Sequence, residues 1–139
     1  MAACANRAQL FTRGIEMILG VGIDLVSIEK IAASVQSNAF CRKVFTPDEI
    51  EACETLANPA KHYAGKFAAK EAFMKAIGKG IRQEVWFTQI EVIGSETGAP
   101  GIHVSGEAER AMKELSVERI HTSISHSHGM AVAVVILEG

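Results

Sequence analysis

The chain has too few cysteines for a disulfide framework. Cys4, Cys41 and Cys53 are an odd number and form no C-x-x-C pair. That pattern also argues against a cysteine zinc site and suits a reducing, cytoplasmic setting. No apolar run approaches the roughly 18 residues of a membrane span. The opening segment, MAACANRAQLFTRGIE, lacks the long apolar stretch of a secretory signal. Net charge is small as well, −2 at neutral pH, which removes the overall basic footprint of a general nucleic-acid binder. A local basic patch for an acidic protein partner stays open. There is no internal repeat, linker or low-complexity tract, and 139 residues suit one domain. Arg7 and Arg13 precede the first acid, Glu16, a weak transit-peptide signal. The expectation is a disordered extension over residues 1–16 and a domain over 17–139.

What the chain does contain is punctuated apolar periodicity. Met17 to Ile23 reads as a buried strand, and Ser27 caps a helix with Ile28, Ile31, Ala32 and Val35 at helical spacing. Thr46-Pro47 with Glu49 starts a second helix, which ends near Asn58-Pro59. Ala60 to Ile77 is the strongest helix; Gly65 is a mild internal cost, and Gly78 and Gly80 stop it. Val85 to Ile93 alternates as a strand, Thr97 to Gly101 turns, and Ile102 to Val104 can return beside it. Ser105 opens a helix to Leu115. Arg119 to Ser125 and Met130 to Leu137 form a hairpin around Ser127-His128-Gly129. The last strand, MAVAVVIL, is apolar on both faces and belongs in the middle of its sheet. The class is α+β: a small antiparallel sheet packed against a long central helix.

Two carboxylates are candidates for chemistry. On the long helix, Glu71 and Lys75 share a face with Phe67, Ala68 and Ala72, where buried charge requires a partner. The plain reading is a surface i,i+4 salt bridge worth a few tenths of a kcal/mol. Asp24 follows the apolar strand directly and could instead cap the next helix, as Ser27 could. Together, however, an Asp at a strand end and a Glu on a buried helix suit Mg²⁺, which takes one or two carboxylates plus phosphates and waters.

Four ordered segments carry a family resemblance. GVGIDLVSIEKI, FTPDEI, AGKFAAKEAFMKAIGKGI and TSISHSHGMAVAVVI resemble the motifs of the holo-acyl-carrier-protein synthases, small members of the 4′-phosphopantetheinyl transferase fold. The helix built around F-A-x-K-E-A is the specific one. The resemblance implies transfer of 4′-phosphopantetheine from coenzyme A to a serine of apo acyl carrier protein, releasing adenosine 3′,5′-bisphosphate. It implies Asp24 and Glu71 as Mg²⁺ ligands, with Lys75 on a coenzyme A phosphate. Lys66 and His126 match positions near the nucleotide and its phosphates, and Pro100 one near the adenine. Gly78 is where backbone could approach the ligand, although a helix stop explains it nearly as well. His121 and His128 beside His126 raise a rival zinc cluster, weak for want of metal-ligand spacing.

The resemblance further implies a homotrimer with sites shared between subunits, and a basic first helix facing the acidic carrier. Lys30, Arg42 and Lys43 fit that role, but the intervening SVQSNAF is neutral, which weakens attraction to a strongly acidic partner. Two readings without transfer compete: a coenzyme A-binding module, and an oligomerisation domain whose Glu71 and Lys75 are only a bridge.

Overall fold

The computed structural model describes residues 15–78, 84–94 and 98–139. Most of the expected extension, Gly80 and Thr97 lie outside the described residues. The strands are β1 (Ile18–Ser27), β2 (Ile90–Gly94), β3 (Pro100–Val104), β4 (Arg119–Ser127) and β5 (Met130–Glu138). The helices are α1 (Ile28–Ser34), α2 (Asn38–Val44), α3 (Pro47–Glu54), α4 (Pro59–Ile77) and α5 (Gly106–Glu114).

Local capping chemistry sets most boundaries. Ser27 accepts from the Lys30 N–H and ends β1, so the first helix does not require Asp24 as its cap. Thr46 and Glu49 form a reciprocal capping box behind Pro47. His128 and Gly129 both have positive φ, 51° and 72°, which closes the β4–β5 hairpin in two residues.

Two elements differ from expectation. Val85 to Ile93 is not one strand: Phe87–Gln89 form a short 3-10 turn, stabilised by the Gln89 side chain accepting from the Trp86 N–H, and β2 begins at Ile90. α2 was not expected; Ser37 caps it by accepting from the Phe40 N–H, but at seven residues it is too short to display apolar periodicity.

The main sheet has the order β1-β5-β4, all antiparallel, with β5 central as its two-sided apolarity requires. Its inner face carries Gly20, Gly22 and Asp24 on β1, Ala131, Ala133, Val135 and Leu137 on β5, and Ile124 and His126 on β4. α4 packs on this face, burying Ala68, Ala69, Ala72 and Phe73 completely. The β2–β3 pair is a separate two-stranded sheet. A second core of Phe45, Tyr63, Ala64 and Cys53 ties the short helices to the start of α4.

Candidate active site

Gly20 and Gly22 bring β1 unusually near the α4 backbone. A methyl group built on Gly22 would overlap the Ala72 carbonyl oxygen, and one on Gly20 the Ala76 carbonyl oxygen. The next inward residue of β1 is Asp24, and this close approach puts it within reach of α4. Lys75 Nζ donates to Asp24 Oδ1 at 2.9 Å and to the Ile23 carbonyl at 2.9 Å. Lys75 therefore pairs across elements with Asp24 instead of with Glu71 on its own helix.

Glu71 belongs to the same cluster. Burial pushes its carboxyl above the usual range, the Asp24 charge pushes it further, and Lys75 opposes the rise. A carboxylate whose proton affinity is raised by a neighbouring carboxylate forms with it a donor set suited to a divalent cation, which would relieve the repulsion. The residues present fit Mg²⁺ in this sense.

A second site lies elsewhere on α4. A cavity of about 390 Å³ is lined by His62, Gly65, Lys66, Val92, Pro100 and His126, among others. Lys66 and His126, expected near a nucleotide, and Pro100, expected near its base, all meet there. Gly78 is not among the lining residues; it ends α4 with φ 87°. Lys66 and Lys75 are nine residues apart, about two and a half turns, which puts them on opposite faces of the helix. The expected neighbouring surface for Lys66 is thus the far flank. Asp24, Glu71 and Lys75 occupy one side of α4, and the cavity opens on the other.

His126 reaches the cavity because Gly65 lacks a side chain. Its Nε2 donates to the Lys61 carbonyl at 3.0 Å, and a methyl group on Gly65 would stand 3.0 Å from both that nitrogen and Ile124 Cγ2. Gly65→Ala is therefore expected to keep the fold, since alanine favours helix by about 1 kcal/mol, while displacing the imidazole. The His126 ring resonances should shift in NMR spectra, with an unchanged or raised melting temperature. Unaltered resonances would remove Gly65 from the account.

Sequence reasoning missed His62, a cavity residue whose imidazole burial pushes below its ordinary pKa, helped by Lys61, His126 and Lys66. Its one available signal was the four-residue step to Lys66. The zinc cluster does not assemble. His121 faces the opposite side of β4 from His126 and pairs with Glu138, while His128 sits in the hairpin turn beside Ser127. Among the described residues no three histidine, cysteine or acidic side chains converge as metal ligands, and no helix is long and apolar enough to cross a membrane.

A profile of the 4′-phosphopantetheinyl transferase superfamily matches residues 20–135. Holo-[acyl-carrier-protein] synthase of Syntrophus aciditrophicus is 42% identical over 125 residues, covering 88% of this chain and 98% of that one. The crystal structure of holo-[acyl-carrier-protein] synthase from Neisseria meningitidis superposes with a TM-score of 0.80 at 32% identity, covering 88% of this chain and all of that one. The Helicobacter pylori holo-[acyl-carrier-protein] synthase, solved in complex with coenzyme A, gives 0.73 at 35% identity, with 84% and 98% covered.

Proposed function

The chain belongs to the 4′-phosphopantetheinyl transferase superfamily, and from that premise we propose that it is a holo-[acyl-carrier-protein] synthase. It moves 4′-phosphopantetheine from coenzyme A to a serine hydroxyl of an apo acyl carrier protein. The serine oxygen attacks the phosphorus that bears the pantetheine arm. The bond from that phosphorus to the bridging oxygen breaks, and adenosine 3′,5′-bisphosphate leaves. The observation that carries this reading is the convergence of Asp24, Glu71 and Lys75 at the glycine-lined contact of β1 with α4.

Asp24 and Glu71 would hold Mg²⁺, which when bound supplies charge neutralisation across the opening pyrophosphate bond. Lys75 is a mobile point charge suited to a phosphate oxygen, and its 48% exposed side chain can reach one. Lys66 offers donors to the nucleotide phosphates at the cavity, the His126 ring lies in the same lining, and Pro100 bounds the base. Isothermal titration tests the binding step. Coenzyme A should bind, and Mg²⁺ should tighten it; no binding in either condition overturns the proposal.

The chain works as a homotrimer with composite sites. Two observations support this. The metal and nucleotide halves lie on opposite flanks of α4, so one coenzyme A needs the second half from another copy. The outer face of the main sheet is also apolar and, among the described residues, uncovered: Val21, Ile23 and Leu25 are 58%, 61% and 61% exposed, beside Val132, Val134 and Ile136. Co-expressing Asp24→Ala with His126→Ala should therefore recover activity that each variant lacks. Random mixing makes about a quarter of the sites intact. No recovery in mixed assemblies would mean that each site lies within one chain. Exposed Lys30, Arg42 and Lys43 on α1 and α2 are the cations that would meet the acidic carrier. The free, buried thiol of Cys53 agrees with a cytoplasmic enzyme.

A further inference from the structure

One buried charge on α4 has no part in that chemistry. Lys70, immediately before Glu71, is fully buried, and its ammonium donates to the Val44 carbonyl at 2.7 Å, the Phe87 carbonyl at 3.1 Å and Glu49 Oε1 at 2.5 Å. All three of its protons are used. Glu49 is equally buried and also accepts from the Thr46 N–H, while its Oε2 accepts from the Val92 N–H at 2.9 Å. The Val92 carbonyl in turn accepts from Lys66 Nζ at 2.6 Å.

Val92 lies opposite Ile102 in the β2–β3 ladder, yet its own N–H and C=O bond to side chains of α3 and α4. These groups lie on the edge of β2 away from β3, where among the described residues the two-stranded sheet supplies no further strand and buried backbone groups need other partners. A buried ion pair gives little net stability over apolar packing. What this pair adds is a grip on that edge. Because Val92, Ile93, Gly94 and Pro100 line the cavity opposite Gly65 and His126, the grip sets the width of the cavity.

We propose that Glu49 and Lys70 are positioning residues for coenzyme A, acting through Val92 and Lys66 to hold the β2–β3 wall against α4. The inference rests on the reading that this cavity takes the nucleotide of coenzyme A. It also fixes the role of Lys66: one N–H anchors the ammonium to the wall, and two remain for the ligand.

Amide exchange followed by NMR, with and without coenzyme A, tests this in the wild-type protein. The Val92 amide should exchange slowly despite lying on an edge, and saturating coenzyme A should slow it further. Exchange at the unprotected rate, or indifference to coenzyme A, would overturn the proposal. The double variant Glu49→Leu/Lys70→Met leaves no unpaired buried charge. It should fold, lose Val92 protection and bind coenzyme A about tenfold more weakly, the equivalent of one lost charge-assisted hydrogen bond. Its Mg²⁺ affinity, read at Asp24 and Glu71, should stay at the wild-type value. A folded double variant with wild-type coenzyme A affinity would also overturn the proposal. If the wild type itself bound no coenzyme A, the functional reading would fall first and the positioning role with it.

Discussion

Gly22→Ala is expected to destabilise the native fold severely. On the inner face of β1, the added methyl would overlap the Ala72 carbonyl oxygen and lie 2.8 Å from its carbon and 2.9 Å from the Ala76 nitrogen. These are backbone atoms in the middle of a 19-residue helix, so no rotamer change can relieve the clash. Strand and helix would have to separate, opening the core that Ala72, Ala133 and Val135 close. A cost above about 4 kcal/mol is expected, against a total stability for such a domain of about 5–15 kcal/mol. Urea denaturation followed by circular dichroism reads the effect. Gly94→Ala is the control: among the described residues nothing lies within 4 Å of its added methyl, and the change should stay within about 0.5 kcal/mol. A Gly22→Ala protein that melts like the wild type would show that β1 and α4 are not in the contact on which the metal half depends.

Glu71→Gln is expected to abolish transfer, by at least about a thousandfold, while raising the stability of the metal-free protein. The first effect follows from loss of a ligand charge where a pyrophosphate bond opens. The second follows from the direction of the Glu71 shift. Its carboxyl is raised, by burial first and by Asp24 next, so the folded chain holds that proton more tightly than the unfolded chain does. Stability therefore falls as pH rises from the ordinary carboxylate value through the folded value. Glutamine removes that loss. Calorimetric melts without Mg²⁺ should show the variant more stable at neutral pH, with the difference vanishing below about pH 4, where the glutamate is protonated in both states. Added Mg²⁺ should raise the wild-type melting temperature and leave the variant nearly unmoved. Near-wild-type turnover of the variant at saturating Mg²⁺ would remove Glu71 from the metal site.

The features legible in the sequence were those written over a few consecutive residues. The caps at Ser27 and Thr46, the His128-Gly129 turn and the two-sided apolarity of Met130 to Leu137 each lie within one element and its flank. Val85 to Ile93 misled because the alternation of Trp86, Thr88 and Ile90 is strand-like, whereas the Gln89 side chain closes a turn there. Other features depended on distant partners. Glu49 reads as a capping residue and is one, but its burial also depends on Lys70 and on Val92, 43 positions away. Gly20 and Gly22 look like ordinary strand glycines until the α4 backbone lies against them. In the candidate site, Asp24, Glu71 and Lys75 were nameable from the family motifs. Their separation from Lys66 and His126 needed the helix in three dimensions.

The mass of an apo acyl carrier protein incubated with this chain, coenzyme A and Mg²⁺ tests the central claim most directly. The account predicts a gain of one phosphopantetheine group, dependent on Mg²⁺ and absent with Glu71→Gln. Carriers that all keep their apo mass, under conditions where the chain binds coenzyme A, would contradict it.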